Sequence, residues 1–284
     1  MSLRCRVSDV PLLLKTLNTV AAPRGGSWAT VVFSQDVVII HTAGENHSFT
    51  GTATIPRSLF VEYTVTKDLQ FTVNVFGLID ALMLGGAHTV TSSAVRFTIM
   101  YPTMDDRVLV EVQDSHRVLQ TTLVTRPVRE RLLSLRFTDS LTMNRICMRG
   151  DAVADLISDL SAFQVETVRV GFTRRSFLMT GLRSVLGEVV IELSKHSELV
   201  MMHDVGDESL TSAYLMGDIA LACSPQRQLR RGTVEGDSGF ERVTLLVNRD
   251  RQLCVTHQGL DHVVPVMVSM VLNPQICLDD DADL

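Results

Sequence analysis

The order of elements repeats along this chain, and that repeat limits the folds open to it. In each half a strand is followed by a helix, several strands, a shorter helix and several more strands. The 284 residues therefore read as two copies of one α+β unit of about 130 residues. The strands are short runs of alternating or β-branched residues broken by polar turns. In the first half they are Trp28 to Phe33, Val37 to His41, Phe49 to Ile55, Leu69 to Val73, Ala94 to Tyr101, Val108 to Val112 and Val118 to Val124. In the second they are Arg145 to Met148, Thr167 to Phe172, Phe177 to Leu182, Val189 to Leu193, Thr211 to Met216, Val243 to Val247, Leu253 to Thr256 and Val263 to Leu272. Ser8 and Asp9 offer N-cap oxygens to a helix over Val10 to Val20, and Asn74 caps one over Val75 to Leu84 that stops at Gly85-Gly86. Their counterparts are Asp151 to Phe163, after Gly150, and Asp218 to Leu229, where Pro225 predicts a short or kinked helix.

Between the halves, Arg126 to Arg131 holds Pro127 and four arginine or glutamate charges, the make-up of a surface connector. The expected organisation is a first domain over 1–125, a connector with the strand after it over 126–142, a second domain over 143–276 and an acidic tail over 277–284. Apolar residues make up 45% and charged residues 20%, enough to fill both cores of a soluble globular protein. No apolar run approaches the roughly 18 residues that span a membrane, so the expectation is an intracellular protein with no membrane partner. Cys5, Cys147, Cys223, Cys254 and Cys277 include no close pair, which fits buried thiols and not a zinc site or disulfide framework. The net charge of -6 argues against a protein that simply coats nucleic acid, because each phosphate contact needs a cation. Any DNA contact must be local. Asp279, Asp280, Asp281 and Asp283 read as a solvated end.

Several strings carry a family resemblance. Phe76-Gly-Leu-Ile-Asp-Ala-Leu-Met with its glycine turn, and Val95-Arg-Phe-Thr-Ile-Met-Tyr-Pro leading into Val108-Leu-Val-Glu-Val, resemble the Rad-one family of subunits of the nine-one-one checkpoint clamp. So do Asn144-Arg-Ile-Cys-Met-Arg-Gly-Asp, the helix through Ser158-Asp-Leu, Glu166-Thr-Val-Arg-Val and the hairpin Val247-Asn-Arg-Asp-Arg-Gln-Leu-Cys-Val. Together they span nearly the whole chain, and all are packing or turn patterns. The opening Leu3-Arg-Cys-Arg-Val-Ser-Asp is also similar to the start of the Hus-one subunit, which keeps a Hus-one-like chain as an alternative.

The resemblance implies the sliding-clamp fold of the proliferating cell nuclear antigen superfamily: two similar domains, antiparallel sheets outside, helices lining a pore. It implies a non-catalytic nuclear protein without cofactor, joined to Rad-nine-like and Hus-one-like subunits, placed by a clamp loader on duplex DNA without sequence specificity, and recruiting checkpoint and repair proteins. Edge strands would meet neighbours through Val118, Leu119, Thr121 and Leu123 in the first domain and Glu188, Val189, Ile191 and Leu193 in the second. The DNA-facing candidates are Lys15, Arg24, Arg227, Arg230 and Arg231, each of which reads equally as a solvated surface charge. A homotrimeric replication clamp is the near alternative.

Another class stays in view. Asp151, Asp155 and Asp159 are spaced by four and share one helix face, and they, or acids such as Asp105 and Asp106, are what a metal-dependent DNA exonuclease would use. Two-metal hydrolysis needs carboxylates converging from different elements, which one helix face rarely provides. A third reading is a β-rich scaffold that binds only protein. His257 and His262 flank Gly259 but lack further ligands at metal spacing, and no phosphate loop, nucleophile elbow or deaminase pattern occurs.

Overall fold

The computed structural model describes residues 2–21, 28–43, 49–128, 137, 142–206, 211–224, 240–259 and 264–275. Expectations that fall on Arg24, Arg227, Arg230, Arg231, His262, Cys277 and the aspartates from Asp279 lie outside the described residues.

The first half runs β1 (Leu3–Val7), α1 (Val10–Val20), β2 (Trp28–Phe33), β3 (Val37–Ala43), β4 (Phe49–Pro56), β5 (Phe60–Val65), β6 (Leu69–Asn74), α2 (Val75–Leu82), a one-turn α3 (Ala87–Val90), β7 (Arg96–Tyr101), β8 (Val108–Gln113) and β9 (Val118–Leu123). A two-residue β10 (Thr125–Arg126) leads into the connector. The second half runs β11 (Thr142–Arg149), α4 (Gly150–Ala162), β12 (Thr167–Phe172), β13 (Ser176–Leu182), β14 (Val189–Ser194), β15 (Val200–Val205), β16 (Thr211–Leu215), α5 (Met216–Cys223), β17 (Arg242–Asn248), β18 (Leu253–Gln258) and β19 (Met267–Leu272).

Strands β5 and β15 hide from an alternation search because each meets its partner at a bulge, between Arg6 and Val7 for one and between Cys147 and Met148 for the other. A bulge inserts a residue and breaks the period of two. Helix α5 starts two residues before the expected Asp218 and ends at Cys223. Ser224, directly before Pro225, has left helical geometry, as the residue preceding a proline tends to.

Every strand pairing in the first half except that of β10 with β6 recurs in the second. The order β5-β1-β7-β8-β9 matches β15-β11-β17-β18-β19, and β6-β2-β3-β4 matches β16-β12-β13-β14. One further pairing joins the halves: β19 lies antiparallel to β4, which makes a single ten-stranded sheet from β10 to β15. One apolar cluster runs through both halves, from Leu3, Leu14 and Leu17 to Val255, Val268 and Met270. A smaller one forms on the opposite face, where Phe137 of the connector packs on Leu246, Cys254 and Val271.

Local chemistry fixes the helix starts. Asp9 accepts the Leu12 amide at 2.9 Å, and Asn74 accepts that of Gly77 at 2.9 Å. Helix α4 has no side-chain cap; instead Gly150 donates its N–H to Glu241 O at 2.9 Å. That approach is so close that a Cβ on Gly150 would sit 1.9 Å from Phe240 O. Backbone cannot yield as a flexible side chain does, so Gly150→Ala is expected to cost about 2–3 kcal/mol. Urea unfolding of the variant beside the parent measures it.

Candidate assembly edges and helix faces

Both strands expected to meet neighbours are outermost in their sheets. β9 closes one side of the five-stranded sheet and β14 one side of the four-stranded sheet. Their side chains alternate as the pleat requires. Leu119 and Leu123 on β9, and Val189, Ile191 and Leu193 on β14, pack partly on the main core. Thr121 is half-buried on the same face of β9, and Glu188 is exposed just before β14. Val118 and Val190 point the other way and stay 51% and 54% exposed. Beside β14, the turn after β13 leaves Val185 and Leu186 in solvent and is pinned by Ser184, whose hydroxyl contacts Phe163 O at the end of α4.

The repeat gives these edges a meaning. By the matched pairings, β9 is the counterpart of β19 and β14 the counterpart of β4. Those two counterparts pair with each other inside the chain, with Ser269 opposite Thr52 and Met267 opposite Thr54. The helices show the same contrast. α1 packs against β19 and β4 and buries Thr16, Asn18 and Thr19. At the end of α4, Ser158, Asp159, Ser161, Ala162 and the following Phe163 are exposed, where Ser184 of the turn before β14 reaches Phe163 O. Alternation in the sequence reveals the strands; only the repeat of pairings reveals that the end of α4 belongs to the same surface.

Among the cation candidates, Lys15 is the one within the described residues. Its ammonium lies 3.6 Å from Glu241 Oε1 and 5.1 Å from the centre of the Phe240 ring, with the side chain 14% exposed. It thus ties α1 of the first half to the second half. Asp151 is ion-paired with Arg149, whose hydrogen bond holds the carboxyl below its ordinary range. Asp155 and Asp159 are exposed on the same helix, and Asp105 and Asp106 are exposed on a turn of the other half. No group of three or more His, Cys, Asp or Glu side chains among the described residues is arranged to hold a metal ion. The four described cysteines are buried and unbridged.

His257 holds a structural place. From β18 its Nε2–H donates to Ala222 O at 2.6 Å, anchoring the end of α5. Burial pushes its pKa from 6.5 down to about 4, so the native ring is neutral. The unfolded chain takes up a proton near pH 6.5 and the native chain only near 4. The contribution is therefore complete above pH 6.5 and is lost as the pH falls towards 4, by up to about 3 kcal/mol. Denaturant unfolding at pH 7 and at pH 4.5 should show a shallower pH dependence for His257→Gln than for the parent.

A duplicated unit of this kind, with antiparallel sheets and an edge strand in each half whose counterpart is paired within the chain, is the sliding-clamp fold. It is similar to the crystal structure of proliferating cellular nuclear antigen from Entamoeba histolytica, with a TM-score of 0.76 at 13% identity, covering 96% of this chain and 99% of that one. It is also similar to that antigen from Thermococcus kodakaraensis, with a TM-score of 0.75 at 9% identity, covering 96% and 100%. No curated relative matches the sequence. Residues 3–224 match the repair protein family Rad1/Rec1/Rad17, and the chain belongs to that family.

Proposed function

We propose that this chain is a non-catalytic subunit of a heterotrimeric DNA-damage checkpoint clamp, which encircles duplex DNA in the nucleus and gathers checkpoint and repair proteins there. A clamp loader would place it, and Rad-nine-like and Hus-one-like chains would be its neighbours. One observation carries the reading: β9 and β14 are the unpaired counterparts of β19 and β4, which already pair within the chain. An edge that lacks its ladder offers unpaired N–H and C=O groups to another chain. Because the two edges differ, neighbours join head to tail, and such contacts make rings when the rotation closes.

The internal joint also supplies a register. Carried over through the matched ladders, Ser269 opposite Thr52 becomes the neighbour's counterpart of Gln120 opposite Val190, and Met267 opposite Thr54 becomes the counterpart of Val118 opposite Glu192. Family membership supports the checkpoint role, and the sliding-clamp fold supports passage over DNA without base reading. The exonuclease reading draws no support from Asp151, Asp155 and Asp159, which lie along one helix with Asp151 engaged by Arg149.

Light scattering on size-exclusion chromatography tests the assembly. The chain alone should run as a monomer, and co-expression with the two candidate neighbours should give a one-to-one-to-one complex. A trimer of the chain itself would move the reading to a homotrimeric clamp, and a monomer in both preparations would defeat it. Val118→Asp and Val190→Asp, both at exposed sites, should leave the isolated chain within about 0.5 kcal/mol of the parent. Each should weaken the complex tenfold or more, about 1.4 kcal/mol.

A further inference from the structure

The joint inside the chain and the joint proposed between chains differ in charge. Within the chain, β19 sets Met267 opposite Thr54, Ser269 opposite Thr52 and Val271 opposite Thr50, so the outward positions of this seam are uncharged. On β14 the counterpart of Thr54 is Glu192, and that of Thr52 is Val190. Glu188, one residue before the last ladder pair of Gly181 with Val189, takes the place of Thr50. Glu188, Val190 and Glu192 are all exposed. Among the described residues no ion pair engages either carboxylate. Duplication has thus left two threonines at the inner seam and put two glutamates at the outer edge.

The chain's own β9 cannot answer them. In the register carried over from the inner seam, a second copy would set Val118 opposite Glu192, Gln120 opposite Val190 and Thr122 opposite Glu188. Gln120 already donates to Glu111 of β8 at 2.7 Å, which adds a third carboxylate to the same surface. The cations that flank β9 are engaged elsewhere. Arg117 is bonded to Asp114 at 2.9 Å, and the guanidinium of Arg126 lies 3.7 Å from the centre of the Trp28 ring.

We infer that Glu188 and Glu192 select the neighbour at β14. The edge accepts a clamp-fold chain with lysine or arginine at the places that Val118 and Thr122 hold here, and it rejects a second copy of this chain. This selection rests on the assembly proposed above. Directly opposed side chains on an antiparallel pair have Cβ atoms about 5 Å apart, so a cation at either place reaches the carboxylate facing it. A neutral neighbour covers the carboxylates without pairing them, which costs free energy and discriminates between partners. Charges at such a rim also speed encounter, and salt screens them.

The full-length chain, co-expressed and purified with its two candidate neighbours, provides the test. Dissociation of the diluted complex is followed by mass at low and at high salt. Glu188→Gln combined with Glu192→Gln should weaken the complex about fivefold to tenfold at low salt and flatten its salt dependence. Thermal unfolding of the isolated chain should not change, since both sites are exposed. Conversely, Val118→Lys combined with Thr122→Lys should make the isolated chain associate with itself at low salt, and the two glutamine changes should abolish that association. A complex that forms but is indifferent to the glutamine changes would overturn the selection and leave the ring standing. So would a parent chain that associates with itself as readily as the lysine variant. A parent that joins neither candidate would remove the ring and the selection together.

Discussion

Six residue pairs between β4 and β19, from Met267 opposite Thr54 to Leu272 opposite Phe49, hold the halves in one sheet. The helix layer beneath this seam is closely fitted. Thr42 donates its hydroxyl to Val20 O at 2.6 Å at the end of α1, and a Cβ on Gly51 of β4 would stand 2.7 Å from the same hydroxyl. Lys15 then reaches across to Glu241 and Phe240. The seam sets the angle between the halves, and with it the directions in which β9 and β14 face. Any geometry of assembly is inherited from this internal ladder.

The parts of this architecture legible in the sequence are those governed by local periodicity. Val118 to Leu123 and Val189 to Leu193 alternate because one face packs on the core and the other does not, and both are strands at sheet edges. Asn74 before Val75 and Asp9 before Val10 mark helix starts through side-chain oxygens that any chain can use. What escapes is whatever distant residues decide. Bulges disguise β5 and β15. The partners of Lys15 lie in the other half of the chain, so its isolated appearance as a free cation on α1 could not reveal its engagement. Likewise, nothing within Ser158 to Phe163 reveals that this helix end meets the turn before β14 through Ser184.

Comparison of α1 with α4 shows what duplication has kept and what it has released. Apart from β10, the pairings of the two units agree strand for strand, although the sequences share pattern only. The divergence lies at the seams. α1, which packs on the internal joint, buries three polar side chains, Thr16, Asn18 and Thr19, whereas the end of α4 leaves Asp159 and Phe163 exposed. An apolar ring and a carboxylate on one short surface are costly to leave for a monomer and useful for choosing a partner, since a wrong neighbour leaves the charge unpaired.

Edge strands with exposed valines are a hazard in a protein that stays single, because any extended segment can continue the ladder. Two of the edge strands, β9 and β14, carry Val118 and Val190 in exposed positions and differ from each other in sequence, so a joint between them pairs unlike strands. One edge takes and the other gives. The ladder that the chain makes once, between β4 and β19, is the geometry that the proposed joints between chains would share. In a closed assembly of such chains, as proposed, internal and external ladders would alternate, and one chain's Val190 would meet the next chain's counterpart of Gln120.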